Sequence, residues 1–361
     1  DDNEEAYKEY TLAKDLAEIN LYYDNCCLLA KRLLDEINLY RKSPSLSDFA
    51  PFIRYLEETQ PRGQLPAAYS LEGKALLRKI QGMTIITDTD DNNFNDANIA
   101  TSSYFGRSPL PPFDLVDWID EKFVKRGCFT ADDVEAYHAA ALIIQRGFDL
   151  ELIPIWDMVN HAVIEQVNVQ TNSLRSEDGL MVHAKQAIAA GDEILYTYNF
   201  CTDCLETGLE WGTPGMYRDF GFVEDYPQIW PFLDQDVYST IQLQPPQERQ
   251  DEDSNRSDPQ YTATFYSEMI DGKLHHYIPD ENAITFFNTQ LARLKALDIE
   301  TEIQTVPSSF ERSMIHKLYS SLVTALAVVS ETGTKLLQEE AGNDKDDNDD
   351  EKMNGSTRDE L

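Results

Sequence analysis

The stretch that decides the fold runs from Ile153 to Phe222. It contains Ile153-Pro-Ile-Trp-Asp-Met-Val-Asn-His161, then Gly191-Asp-Glu-Ile-Leu-Tyr-Thr-Tyr198, and finally Phe220-Gly-Phe222. Its apolar residues come in short runs, of which 153–156 is the first. The alternation over 166–170, the strand-like run 180–184 and the β-formers of 194–198 predict short strands joined by irregular loops. A small β-rich core is therefore expected here.

The sequence before this stretch has the periodicity of helices. Apolar residues recur every three or four positions from Leu12 to Tyr40, which predicts one long amphipathic helix or two with a break near Tyr23. Shorter helices are predicted over 49–56, 71–80, 115–123 and 130–144. Thr130-x-x-Asp133 is typical of an N-cap and predicts the start of the last of them. Residues 87–112 are polar and aperiodic, which predicts a surface loop that we expect to be mobile.

The sequence after the core also divides into segments. Residues 244–259 form an acidic linker that contains Pro245 and Pro246 and ends at Pro259, and a hairpin-like pair is predicted around Gly272. A helix over 309–337 follows, which Ser308 or Ser309 can cap. The last 23 residues hold ten acids and three bases, a composition that predicts disorder.

The charge of the chain limits its partners. Acidic residues number 65 and basic residues 30, for a net charge of −35. A surface that follows nucleic-acid phosphates needs a dense basic patch, so no nucleic-acid partner is expected. Basic protein segments are favoured, or else the surface acids serve only solubility. No apolar run approaches the roughly 20 residues that span a bilayer, so no membrane partner is expected either.

The cysteines and the chain ends concern the compartment. Five cysteines (Cys26, Cys27, Cys128, Cys201, Cys204) lack the spacing of a zinc site, so no metal is implied. They are free thiols or, alternatively, include a local disulfide in the C-x-x-C pair. The C-terminal Arg358-Asp359-Glu360-Leu361 is close to a retrieval signal and suggests the lumen of the endoplasmic reticulum. Cytoplasm, nucleus and plastid stay open.

The order and spacing of the motifs carry a family resemblance. Asp157-x-x-Asn160-His161 stands eleven residues after Arg146, and a G-D-E-I strand ending in Tyr198 and a later Gly-Phe pair follow it. This combination resembles the SET domain of the Rubisco-lysine-methyltransferase-like protein methyltransferases, and looser similarity extends over residues 21–335. The resemblance implies an α+β fold: a small β-rich SET core, a large helical insert and a mainly helical C-terminal domain.

The same resemblance implies how the chain is divided. The first segment, 1–20, is an N-terminal remnant with an incomplete SET start. The helical insert, 21–145, contains the loop 87–112, and the SET core, 146–225, follows it. A helical C-terminal domain that resembles a substrate-binding domain covers 235–338, and a disordered acidic tail covers 339–361. The family usually opens with a strand and a glycine-containing loop that contacts the cofactor. Residues 1–60 hold no counterpart of that loop.

The resemblance also implies an activity and its residues. The activity is transfer of a methyl group from S-adenosylmethionine to a protein side-chain amine, most often of lysine, although histidine is also a target in the family. Asn160 and His161 would hold the cofactor, and Arg146 and Asp157 would support that wall of its pocket. Tyr198 would be the catalytic tyrosine. Phe220 and Phe222 are core aromatics by default, one of which should line the substrate channel.

Each motif also has an ordinary structural interpretation. Asn160-His161 could cap a turn, Tyr198 could be a core tyrosine with its hydroxyl at the surface, and Asp157 and Arg146 could form a plain salt bridge. The corresponding alternative function is a catalytically inactive SET-like module that binds basic proteins through an acidic surface.

Overall fold

A computed structural model gives the fold and confirms a mixture of helix and strand. It describes residues 2–83, 108–112, 114–148, 151–163, 165–171, 180–198, 212–234, 237–244, 261–270, 273–276 and 278–354. Only the backbone is described for residues 2–20, 148, 233–234, 237–244, 266–270, 273–276 and 340–354. The predicted loop 87–112 therefore lies outside the described residues except for its last five positions, and Gly272 and most of the linker 244–259 also lie outside them.

One compact unit comprises residues 1–77, 114–200 and 216–222. Its helices are α1 (Asp2–Lys42), α2 (Ala50–Thr59), α3 (Leu71–Gln81), whose last turn lies beyond this unit, and α4 (Val134–Arg146). The periodicity predicted all four. The structure has α1 as one helix, without a break near Tyr23.

The hydrophobic core of this unit forms where α1 packs against α2 and α4. Leu33 and Ile37 of α1, Leu56 of α2 and Leu142 of α4 are all at least 96% buried. Their spacing of three or four residues gives each helix one apolar face. Burying a side chain of this size is worth about 1.5–3 kcal/mol, so these faces hold the helices together.

The start of α4 differs from the prediction. The helix begins at Val134, and its N-cap is Asp133, whose carboxylate accepts a hydrogen bond of 3.0 Å from the Ala136 amide. The predicted start at Thr130 was therefore wrong by one turn. Both residues are common at N-caps, and only the backbone conformation decides between them.

The segment before α4 is irregular and contains a disulfide. Residues 115–119 form turns, and a single π-helical turn (Asp120–Val124) follows, where a regular helix was predicted. Cys27 of α1 is bonded to Cys128, and Cys26 is a buried free thiol. The cysteine predictions were therefore wrong about Cys27 and Cys128, since the pair is formed between residues 101 positions apart.

The strands of this unit are short and paired in twos. A hairpin joins β1 (Gly147–Phe148) to β2 (Glu151–Leu152), and β4 (Val169–Thr171) pairs antiparallel with β5 (Val182–Ala184). The third pair, β3 (Asn160–His161) with β6 (Leu195–Tyr196), is parallel. The predicted small β-rich core therefore consists of three separate strand pairs. Each strand in them is only two or three residues long.

The apolar run 153–156 does not form a strand. Ile155 has φ 80°, and Trp156–Met158 forms a 3-10 turn. A β-branched residue at positive φ breaks an extended chain and is a strained conformation. The chain therefore turns directly before Asp157.

The second compact unit comprises residues 78–113, 201–215 and 223–361. It contains an antiparallel sheet in the order β10-β9-β8-β7, made of β7 (Gln228–Asp234), β8 (Val237–Gln244), β9 (Thr262–Ile270) and β10 (Lys273–His276). The hairpin predicted around Gly272 corresponds to β9 and β10. The prediction of a mainly helical C-terminal domain does not account for this sheet. Ile241 and Leu243 alternate with Thr240, Gln242 and Gln244, a period of two that is typical of a strand and falls in the second half of β8.

The remaining helices follow the sheet. After α5 (Thr213–Phe220), which spans the boundary of the two units, come α6 (Glu281–Lys295), α7 (Ile299–Glu302) and α8 (Ser309–Asn354). The hydroxyl of Ser308 accepts from the Glu311 amide, which confirms the predicted cap of α8. The helix continues to Asn354, which differs from the disorder predicted from Glu339 onward.

One helix among the described residues passes a length and composition test for a membrane span. It covers Ser309–Glu339 with a mean hydropathy of 1.2, and 39% of its most apolar window is buried. The buried residues, which include Leu318, Leu322 and Val329, lie on one face, and α8 packs against α6 and β9. A core helix passes the same test, so the result is weak evidence for a membrane span.

Candidate functional site

The parallel pairing of β3 with β6 assembles the candidate site. Asn160 lies opposite Leu195, and His161 lies opposite Tyr196. The Ala162 amide adds a hydrogen bond of 2.8 Å to the Tyr196 carbonyl. Two motifs more than thirty positions apart in sequence therefore become neighbours, and the residues after β6 run past His161.

His161 and Tyr198 are in direct contact. The Tyr198 amide donates to Nδ1 of His161 over 3.0 Å, and the two ring centroids are 5.4 Å apart. The acceptor role of Nδ1 means that the proton of a neutral imidazole is on Nε2. The structure therefore brings together two of the residues that the sequence predicted.

The two phenylalanines join the same cluster. The ring of Phe220 is 4.7 Å from that of Tyr198, and the ring of Phe222 is 5.5 Å from that of His161. Gly221 between them has φ 79°, and a Cβ there would come within 2.3 Å of the Gln64 carbonyl oxygen. Only glycine fits this turn, which places both rings beside the paired strands.

The hydroxyl of Tyr198 has a fixed direction, because it donates to the backbone carbonyl of Val159. Burial raises the pKa of Tyr198, an effect that the nearby Arg146 guanidinium partly offsets. The phenol therefore stays protonated at neutral pH.

Arg146 and Asp157 lie side by side without the salt bridge that the sequence allowed. An Nη of Arg146 donates to the backbone carbonyl of Asp157 over 2.5 Å. The Asp157 carboxylate is buried, and neither of its oxygens has a hydrogen-bond partner. The amides of Asp157 and Ile155 are near enough to favour its charged form but do not reach hydrogen-bond geometry. Burial outweighs them and Arg146, and raises the pKa of Asp157 to about 6.

These side chains border a cavity of about 140 Å³. Its lining contains Gln145, Arg146, Gly147, Trp156, Asp157, Val159, Tyr196, Thr197, Tyr198 and Phe220. Four of the seven predicted site residues are among them, whereas Asn160, His161 and Phe222 are not. Trp156 and Tyr196, which the sequence motifs did not single out, also line the cavity, and their rings meet edge to face at 5.0 Å. Tyr196 was open to prediction, since it stands two positions from Tyr198 in an extended segment.

Asn160 lies at the rim of the site rather than in the cavity. It is exposed, and its Nδ2 donates to the Glu193 carboxylate over 2.6 Å. The buried Asn168, which no sequence motif singled out, donates to the Glu193 carbonyl and accepts from the Leu195 amide, both over 2.8 Å. Asn168 thus fixes the segment that leads into β6. Buried amides of this kind bond to backbone groups that would otherwise be unpaired.

The chemistry of the cavity suits a cation. Aromatic rings attract a positive charge with their faces, and a buried carboxylate without a partner adds a negative one. The described residues contain no group of three or more His, Cys, Asp or Glu side chains that could hold a metal ion.

A comparison with protein families gives one match. A family model described as SET domain matches residues 22–199, the part of the chain that contains β3, β6 and most of the cavity lining. Neither the search of curated proteins nor that of solved structures gives a match. The matched region covers just under half of the chain and is similar to the SET domain of protein methyltransferases, whose class of reaction is methyl transfer.

Proposed function

We propose that this chain, whose residues 22–199 match the SET domain, uses S-adenosylmethionine to methylate a protein side-chain amine, with lysine as the target. The observation that carries the proposal is the β3–β6 pairing within the matched region. It brings Tyr198 to the cavity that Arg146 and Asp157 also line. The Rubisco-lysine-methyltransferase-like subclass is part of the proposal and rests on the sequence motifs.

The cavity meets the first requirement of amine methylation, which is a neutral and positioned nucleophile. A free lysine amine has a pKa near 10.4 and is charged at neutral pH. A space of about 140 Å³ takes the end of one side chain and few waters, since one water occupies about 30 Å³. The aromatic walls therefore desolvate the amine, which lowers its pKa, and hold it in line for attack.

Asp157 meets the second requirement, a place for the proton. Its pKa is about 6, whereas that of an ordinary aspartate is 3.8. The pKa of Asp157 is therefore closer to the lowered pKa of a desolvated amine. We assign it the role of attracting the entering ammonium group and accepting its proton. The Tyr198 hydroxyl, fixed on the Val159 carbonyl, offers its oxygen to weak C–H contacts from the methyl group that is being transferred.

The described residues fit the cofactor in part. S-adenosylmethionine, when bound, supplies an electrophilic methyl group on a sulfonium ion. The buried Nε of Arg146 has no hydrogen-bond partner and can donate to a carboxylate, and Asp157 with the aromatic rings suits the sulfonium charge. The side chain of Asn160 would have to exchange its bond to Glu193 before it could hold a ligand.

The proposal extends to the protein substrate. We assign residues 235–338 to its binding, and the net charge of −35 favours a substrate with a basic surface.

Calorimetry with S-adenosylmethionine and transfer of a labelled methyl group by the full chain test this function together. We expect saturable binding, and we expect Tyr198→Phe to lower the transfer rate about a hundredfold or more while binding persists, the scale for one lost polar group at a transition state. Tyr319→Phe is the matched control, because its hydroxyl also donates to a backbone carbonyl, that of Leu294, but does not line the cavity. Equal rates for the two variants would contradict the role of Tyr198.

The second candidate function is a SET-like module without catalysis that binds basic proteins. One observation favours it: residues 22–60, where the matched region begins, hold no glycine and consist of α1, α2 and the link between them. A chain that binds a lysine-rich peptide but shows no heat of binding with S-adenosylmethionine supports this candidate and refutes the first.

A further inference from the structure

A buried cluster of charges lies in the same compact unit as β3 and β6, in the last turn of α5. The guanidinium group of Arg218 donates to both carboxylate oxygens of Asp219, through Nε over 2.7 Å and through Nη2 over 3.1 Å. Its Nη1 donates to the Asp114 carboxylate over 2.8 Å. The side chains of Arg218 and Asp219 are 16% and 12% exposed. None of the three residues lines the cavity that contains Tyr198, so direct contact with a substrate does not account for the cluster.

The cluster connects two distant segments of the chain. Arg218 and Asp114 are 104 positions apart, and Asp114 belongs to the irregular segment before α4. Trp118, in the same segment, lies beneath the guanidinium group, whose carbon is 5.7 Å from the ring centroid. A guanidinium group is planar, so it stacks on a ring with its face and binds carboxylates with its edge. Three side chains therefore hold Arg218 in one orientation.

The same helix turn carries Phe220 on its other side. Successive residues of an α-helix are about 100° apart around the axis, so residues 218 and 220 differ by about 200°. Arg218 and Phe220 therefore project in nearly opposite directions. The ring of Phe220 meets that of Tyr198 with 4.7 Å between the centroids, and Phe222, directly after the turn, meets His161 at 5.5 Å. One short piece of chain thus contacts the charge cluster on one side and the candidate site on the other.

Stability alone does not account for the charges of the cluster. Replacing a buried ion pair with apolar residues of similar size is often neutral or stabilising, because the desolvation of the charges offsets their attraction. Forked hydrogen bonds to charged groups instead fix a direction. The helix α5 has eight residues, too few for its own hydrogen bonds to hold it in place. An anchor on its last turn therefore determines where the aromatic residues after the anchor lie.

We propose that Arg218 is a positioning residue for methyl transfer, which holds the ring of Phe220 against Tyr198. It acts through its bonds to Asp114 and Asp219. The inference rests on the proposed function and adds a residue to it. Phe220 lines the cavity, so displacement of its ring gives the substrate amine room to turn away from the methyl group. A misplacement of about 1 Å at such a site can lower a rate about a hundredfold.

Fluorine NMR of the chain labelled with 3-fluorotyrosine tests the geometry without any substrate. The chain has 18 tyrosines, and the signal that disappears in Tyr198→Phe is that of Tyr198. We expect this signal to shift in Arg218→Met, because a ring only 4.7 Å away dominates its surroundings. The signal of Tyr319, which is bonded to the Leu294 carbonyl, should stay unchanged. An unmoved Tyr198 signal would overturn the inference.

Two control variants separate this effect from loss of an arginine and from loss of stability. Arg293→Met removes a guanidinium group that donates to two backbone carbonyls, those of Lys79 and Ile80. Leu33→Ala leaves a cavity in the core of the same unit and is 4% exposed. Both variants should keep the natural Tyr198 signal. A shift of equal size in either control would assign the effect to general loosening of the fold.

Kinetics test the consequence for the reaction. With labelled S-adenosylmethionine and a lysine-rich peptide, kcat of Arg218→Met should fall about tenfold to a hundredfold. Calorimetry should show unchanged binding of S-adenosylmethionine, and the pH dependence of the rate should not move, because Asp157 is untouched. Arg218→Lys keeps the charge without the fork and should show most of the same loss. A full rate in Arg218→Met would refute the positioning role.

Asp114→Ala provides a second variant that tests the same inference if Arg218→Met does not fold. It removes one partner of Arg218 and leaves the two bonds to Asp219. The Tyr198 signal should shift in the same direction, with a smaller loss of kcat. A natural signal together with a natural rate in Asp114→Ala would count against the cluster as the anchor.

The two readouts separate this inference from the function on which it rests. A shifted Tyr198 signal in Arg218→Met, with no methyl transfer even by the natural chain, supports the anchoring of Phe220 and refutes the function. Transfer at the natural rate in Arg218→Met leaves the function standing and refutes the positioning role, whether or not the signal moves.

Discussion

Asp157 carries a charge at a position that disfavours it. The residue is 8% exposed, neither carboxylate oxygen has a hydrogen-bond partner, and the adjacent Arg146 donates to the backbone carbonyl of Asp157 instead. A buried carboxylate of this kind costs free energy of folding unless it is compensated. Such groups concentrate at functional sites, where a perturbed pKa is useful. At the scale of single residues, this conflict is the best physical argument for a reactive cavity.

Replacing Asp157 with asparagine should stabilise the fold in a pH-dependent way. The pKa is raised from 3.8 to about 6, so between these values the unfolded chain binds fewer protons than the folded one, and stability falls as pH rises. Above pH 6 the full penalty is present, about 3 kcal/mol at 1.36 kcal/mol per unit. Urea unfolding at pH 4 and pH 7.5 should show Asp157→Asn gaining about that amount at the higher pH relative to the lower one.

The exposed Asp225 gives the control for this measurement. Asp225→Asn removes the same charge and should show no such difference between the two pH values. If Asp157→Asn behaves like Asp225→Asn, the carboxylate is not desolvated in solution. Asp157→Asn should also lose methyl transfer even as it gains stability. The Asp157 carboxylate, which destabilises the fold, is also the group assigned to accept the proton of the substrate amine.

The residues around Asp157 show how far single positions can be predicted. The order of motifs identified Arg146, Asp157 and Tyr198, and all three line one cavity. Trp156 was noticed only as part of an apolar run, because its place in the cavity follows from the turn at Ile155, with φ 80°. No local rule predicts positive φ for a β-branched residue.

At the scale of elements, helices were predicted better than strands. The faces of α1, α2 and α3 repeat over three or more turns, which gives a strong periodic signal. The strands β3 and β6 have two residues each and carry almost no period of their own. Their pairing is a long-range contact, and only the motif order suggested that the two segments meet.

The N-cap of α4 allows a direct test of an element boundary. Asp133→Ala should destabilise the protein by about 1 kcal/mol, because it leaves the Ala136 amide at the helix start without its side-chain partner. Thermal or urea unfolding measures this loss. Thr130→Ala is the control, since Thr130 was the predicted cap but lies outside the helix, and it should change stability by less than about half as much. The reverse order would mean that α4 begins a turn earlier.

At the scale of the whole molecule, the Cys27–Cys128 disulfide is the main long-range covalent feature of the described residues. It connects α1 to the segment before α4 across 101 positions, inside the core that also contains Phe123 and Leu142. A cross-link over so long a loop restricts the unfolded chain strongly. Disulfides persist mainly in oxidising compartments.

Removing this disulfide should lower stability by about 2–5 kcal/mol. The measurement is urea unfolding with and without reductant. The unfolding midpoint of the natural chain should fall when reductant is added, whereas that of the double variant Cys27→Ala/Cys128→Ala should already be low and should not respond. Cys26→Ala, which removes the buried free thiol next to the bridge, should keep its response to reductant. A natural chain that ignores reductant would show that the bond is absent.

The sequence by itself determined the helices α1 to α4 and the first part of α8, the mixed fold class and the family resemblance, because these rest on local periodicity and on the order of a few residue types. It did not predict α5, α6 or α7. The sequence also determined the candidate site residues, which lie between Arg146 and Phe222. Only the tertiary structure decided that Asn160 is exposed at the rim and that Asp157 is buried without a hydrogen-bond partner for its carboxylate. Burial and charge pairing depend on which distant segments the fold brings into contact. The sequence lists the segments but does not give the distances between them.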